Sequence, residues 1–154
     1  MKRYFFVSLA SLTALLLWSC QPEADEPFHS FWLGFQEALE TGDTTRLAEQ
    51  VYFPLRGAPM VLGQQKAVMS REEFLRQYDQ LFDPQTREKL LALSSGELES
   101  YVVAKDDFSY MMGIPEGYTV YVARLEYDKR PPRAYHFSPH DAGFKLHYLD
   151  PRKE

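Results

Sequence analysis

The residues of this 154-residue chain best suited to chemistry are few and widely spaced. His136 and His140 lie four apart with Asp141 adjacent, the separation of two zinc ligands on one helical face. Pro139 stands between them, so the segment reads as a hairpin loop in which the imidazoles need not converge; ordinary loop histidines are expected rather than a metal site. His147 alternates with Leu146 and Tyr148, which places it on the opposite face of a strand from both, either as a polar anchor in a cavity or as a solvent-facing strand residue. Asp106-Asp107 offers two carboxylates, but neighbours on a strand point apart and the pair reads as a loop. Arg56 could grip an anion with its two-pronged guanidinium, or form a surface ion pair. Tyr52, Tyr101, Tyr110, Tyr118, Tyr121, Tyr127, Tyr135 and Tyr148 supply apolar bulk with polar tips, fit for a pocket wall or for an ordinary sheet. Arg56, Tyr52 and His147 are the candidate cavity or ligand-binding residues; no catalytic residue, metal ligand or cofactor motif is assigned.

Cys20 is the single cysteine, so a disulfide within the chain is excluded. Ahead of it lie Lys2 and Arg3, an apolar run from Tyr4 to Trp18, and Ser19. A basic start, an apolar stretch of about 15 residues and a small residue before the cut form a secretory signal, too short for a transmembrane helix of about 20 residues. Leu17-Trp18-Ser19-Cys20 resembles the lipobox of bacterial lipoproteins, in which diacylglycerol is transferred to the cysteine thiol and further acylation follows. The resemblance implies that residues 1–19 are removed and that Cys20 holds the protein to the membrane. Gln21 in place of Asp after the cysteine implies a lipid-anchored place in the cell envelope, at the outer membrane of a Gram-negative bacterium. Residues 20–27, acidic and bearing Pro22 and Pro27, read as a tether.

Removing the leader leaves 135 residues, the size of one domain, spanning 28–154 beyond the tether. Two of the 17 basic residues go with the leader, so 15 stand against 22 acidic ones, a net charge of about −7 that argues against nucleic acid as a partner.

The elements that must position these groups follow from periodicity and punctuation. Phe28, Phe31, Trp32, Phe35 and Leu39 recur at intervals of three or four, one aromatic stripe on a helix that Gly42 ends. Asp43 caps a short second helix over 44–50. Residues 51–53 read as a strand broken by Pro54, and 59–68 as a second short strand after a turn at 56–58. Ser70 and Glu73 form a capping box before a helix burying Phe74, Leu75, Tyr78, Leu81 and Phe82; Asp83-Pro84 starts another, carrying Leu90, Leu91 and Leu93. From Glu99 the pattern alternates, with strands near 99–105, 108–113, 118–128, 133–138 and 143–149 and turns at 115–117 and 139–143. Helices first and strands last predict α+β, with N-terminal helices packed on a curved antiparallel sheet.

This order resembles the NTF2-like, or cystatin-like, superfamily, a cone of helices wrapped by a curved sheet. The likeness lies in Phe31-Trp32-Leu33-Gly34-Phe35 with Thr41-Gly42-Asp43, in Phe53-Pro54-Leu55, in the capped helix from Ser70 to Phe82, and in Gly143-Phe144-Lys145-Leu146-His147-Tyr148. Members resembling ketosteroid isomerase carry a general-base Asp before a proline on an early strand; here Phe53 stands there, and a phenyl ring moves no proton. Dehydratase-like members need a cavity His and Asp, for which no matching spacing is present. The expectation is a lipid-anchored, non-catalytic binding or assembly module with a small-molecule or protein partner. The alternatives are an isomerase or dehydratase using a cavity Tyr, His or Asp, and a purely structural protein with a broad apolar sheet face and no pocket.

Overall fold

The computed structural model describes residues 25–151; the leader, Cys20 and residues 21–24 of the tether lie outside the described residues. The aromatic stripe forms α1 (Glu26–Thr41), which begins inside the segment read as tether and places Pro27 in the first turn, where its missing N–H is not needed. Gly42 closes the helix in the left-handed conformation, φ 66°, its N–H bonded to the last turn. The Asp43 carboxylate accepts from the Arg46 N–H and starts α2 (Thr44–Glu49).

The remaining elements are β1 (Val51–Arg56), α3 (Ala58–Val61), β2 (Val68–Met69), α4 (Arg71–Leu81), α5 (Pro84–Ala92), a 3-10 turn (Ser95–Glu97), β3 (Glu99–Val102), α6 (Phe108–Met111), β4 (Thr119–Leu125), β5 (Arg133–His140) and β6 (Gly143–Pro151). The capping box is present: Ser70 Oγ accepts from the Glu73 N–H, and Glu73 accepts from the Ser70 N–H at 2.9 Å. The architecture is thus α+β, with the larger helices early in the chain and the strands late.

Several expectations are corrected. The sheet is mixed, in the order β2-β1-β6-β5-β4-β3, because β1 runs parallel to β6 while every other pair is antiparallel. Pro54 does not end β1, which runs on to Arg56: the proline lies where the β1–β6 register is interrupted between Val51 and Arg56, a place that tolerates its missing donor. Residues 58–61 are helical rather than a strand, and only Val68 and Met69 pair with β1. Residues 108–111 are a helical turn started after Asp107, not a strand. The β5–β6 turn is tighter than expected, with His140 paired to Gly143 across Asp141 and Ala142 alone.

One face of the sheet receives the helices. Phe28 stacks on Tyr121 with centroids 3.7 Å apart, Trp32 and Phe35 meet Phe137 edge-on at 5.5 and 5.2 Å, and Phe82 bridges Phe35, Phe74 and Tyr135. Trp32, Phe28, Phe35, Phe74, Phe82, Phe137 and Tyr135 are all fully buried. Polar pins fix this layer: Trp32 Nε1 donates to the Leu93 carbonyl at 3.0 Å, Gln36 Nε2 donates to the carbonyls of Leu90 and Leu93, and the Tyr135 hydroxyl donates to that of Leu81. The other face carries a smaller cluster of Val103, Ile114, Val120, Val122 and Ala134. The segment around α6 contributes to it through Val103 and Ile114.

Candidate functional site

Three of the four histidines gather on the face away from α1. On β5, His136, Ser138 and His140 alternate onto one side. His136 lies in the expected strand, and His140, expected in the hairpin loop, is a strand residue as well, which corrects its placement. Four strand residues span about 13 Å, which separates His136 from His140 too far to chelate one ion. No group of three or more His, Cys, Asp or Glu side chains able to hold a metal converges among the described residues.

His147 joins this group through a bulge. His136 pairs with Tyr148 but Phe137 pairs with Leu146, so His147 is the extra residue of β6. Simple alternation put His147 and Tyr148 on opposite faces; instead both rings meet His136, at 6.2 and 5.3 Å between centroids. His147 is 4% exposed, so the solvent-facing reading is corrected as well, and no described residue hydrogen-bonds its Nδ1. Burial, then the neighbouring charges of His136, His140 and Arg56, push its pKa down to about 3. The imidazole is neutral at every physiological pH.

Above β6 the His140 ring stacks on Tyr52 of β1, centroids 4.3 Å apart and nearly parallel. His140 Nε2 shares a hydrogen bond of 3.1 Å with Ser138 Oγ. Burial and the Lys145 ammonium lower its pKa, with Asp141 opposing. Tyr52 and His140 form one wall of an open cleft of about 490 Å³, completed by Gly113, Ile114, Pro115, Tyr118, Pro139, Asp141, Ala142 and Lys145. The Lys145 ammonium donates to the Glu49 carbonyl, which anchors its end beside the cleft.

Of the three candidate residues, Tyr52 lines this cleft and the other two do not. Arg56, at the end of β1, turns toward α6 and its Nη1 lies 2.9 Å from Met112 Sδ. His147 lies beneath, within electrostatic reach of Arg56, His136 and His140. Tyr118, one of the tyrosines fit for a pocket wall, lines the cleft too, and the cleft residues missed in the sequence are chiefly Lys145 and Ile114. Their signal was present only as a cationic and an apolar residue near two turns; the stacking of β1 on the β5–β6 hairpin that unites them is tertiary. Asp106 and Asp107 lie between β3 and α6, where Asp107 Oδ2 accepts from the Ala104 N–H at 2.7 Å and so closes a turn.

Chemically, the cleft offers two tyrosines, one imidazole already engaged by Ser138 and Tyr52, one ammonium and one carboxylate. These groups suit stacking on a flat or amphipathic ligand and contact with a polar head. Compared with family models, curated proteins and solved structures, the chain matches none.

Proposed function

We propose that the protein is a lipid-anchored component of the cell envelope, held at the outer membrane by Cys20, whose NTF2-like domain binds a partner at the Tyr52–His140 cleft without turning it over. The observation that carries the binding part is the filling of the space between helices and sheet. Seven large rings, Phe28, Trp32, Phe35, Phe74, Phe82, Tyr135 and Phe137, are fully buried there. An isomerase- or dehydratase-like reading needs ionisable groups converging within hydrogen-bond reach in such an interior. Here the rings touch one another, and recognition is left to the outer cleft. The anchoring part rests on Leu17-Trp18-Ser19-Cys20 behind a basic and apolar leader. The early helices and the six-stranded mixed sheet support the NTF2-like reading of the domain.

The test uses the full chain made in a Gram-negative host and purified in detergent. It is screened for turnover on isomerase, dehydratase and hydrolase substrates, beside Tyr52→Ala and His140→Ala. The expected result is no turnover above the buffer rate. Turnover that disappears in either variant would show the cleft to be an active site and overturn the non-catalytic reading.

A further inference from the structure

We propose that the sheet end carrying the cleft rests against the phospholipid surface of the membrane that holds Cys20, an inference that depends on the lipid-anchored reading above. The chain enters the domain at this end. Asp25, immediately before α1, accepts a hydrogen bond of 3.1 Å from the Tyr121 hydroxyl. It lines a shallow depression with Tyr118, Pro139 and Phe144, and Tyr118 and Pro139 also line the cleft.

Covalent geometry then limits the orientation. Four residues lie between Cys20 and Asp25, and the five residue-to-residue steps span about 17 Å at most when fully extended. The strands lead away from this end, β5 running eight residues and about 23 Å from His140 back to Arg133, so the opposite end of the domain lies beyond the reach of the tether. The near end also has the surface for the task. Tyr52 and Tyr118 are 50% and 45% exposed, and Val102, paired with Thr119 at the same end, is 62% exposed. Tyrosine favours the membrane interface, where the ring contacts acyl chains and the hydroxyl stays among headgroups.

Charge selects the kind of lipid. Glu116, Asp25 and Asp141 line these two hollows, against Lys145; Lys105 lies 3.6 Å from Glu116. Attraction to anionic headgroups is therefore not the driving term, and a zwitterionic phospholipid is the partner the surface fits. Placed so, the cleft opens onto headgroups.

The test uses the full-length, lipid-modified protein in phosphatidylcholine vesicles with brominated acyl chains. Cys20 is the single native cysteine and its thiol is blocked by lipid, so Tyr118→Cys and, at the far end, Asp128→Cys each present one thiol for an environment-sensitive fluorophore. Both positions are exposed, and circular dichroism checks that the fold is kept. Brominated chains are expected to lower the emission at position 118 about twofold relative to unbrominated vesicles and to leave position 128 unchanged. Equal emission with and without bromine at both positions, or equal quenching at both, overturns the docking while leaving the anchor intact. A chain whose mass shows no lipid on Cys20 overturns the anchoring reading, and the docking with it.

Discussion

His147 sits where a bulge in β6 turns two successive side chains toward the same neighbour, His136. Its ring is buried and its pKa stands at about 3, against an ordinary 6.5. Between those values the unfolded chain takes up a proton that the folded chain refuses. Stability therefore falls as pH drops below about 6.5, by roughly 1.4 kcal/mol per pH unit, and the loss is complete near the folded value. In His147→Leu the urea midpoint should hold at pH 7 and decline less steeply between pH 6 and 4 than in the parent; an unchanged slope would mean that another group governs the acid response. Gly57 is a second position where one residue type is dictated. Its φ is 74°, and a Cβ there would lie 1.8 Å from the Leu149 carbonyl oxygen, with no flexible side chain to yield. Gly57→Ala should lower the unfolding free energy by about 3 kcal/mol or more, read from urea denaturation.

At the scale of elements, α5 is tied to the β4–β5 connection through one carboxylate. Asp83 accepts from the Thr86 N–H at the start of the helix and pairs with Arg130, whose guanidinium also lies over the Tyr127 ring at 3.7 Å. Burial alone would raise the Asp83 pKa; the bonds from Arg130 and Thr86 outweigh it and hold it at about 2. A depressed carboxylate stabilises above its ordinary value of 3.8 and ceases to as pH falls through about 2. Asp83→Ala removes cap and ion pair together, and should cost about 2 kcal/mol at pH 7 in thermal or urea unfolding. Caps of this kind were legible in the sequence because their partners lie three residues away: Asp43, Ser70 and Asp83 each start the helix they announce. The elements that were not legible are the ones whose partners are distant. Residues 58–61 and 108–111 are short apolar and aromatic runs that suit strand or helix equally, and tertiary contacts decide. The parallel pairing of β1 with β6 joins segments about ninety residues apart, and the bulge at His147 exists only because Tyr148 and Leu146 both find partners on β5.

For the whole molecule, the helices and the sheet share one aromatic interior while the second face of the sheet is sheltered by the segment around α6. Removing one central ring tests that division. Phe137 touches Phe28, Phe31, Trp32 and Phe35, and Phe137→Ala should destabilise by about 4 kcal/mol, seen as a lower urea midpoint, with the cleft residues Tyr52 and His140 still stacked. The cleft was only partly legible: Tyr52 and Tyr118 were identified from composition, whereas Lys145 and Ile114 reach it only through the hairpin and the 113–118 loop. No helix among the described residues is long and apolar enough to cross a membrane; the attachment proposed above is through Cys20. The measurement that bears most directly on it is the intact mass of the full-length gene product isolated from the membranes of a Gram-negative host. A chain beginning at Cys20 and carrying diacylglycerol and further acyl mass is the predicted result, with Cys20→Ser losing both the lipid and the cleavage. A chain beginning at a bare Cys20, or one that retains residues 1–19, contradicts it.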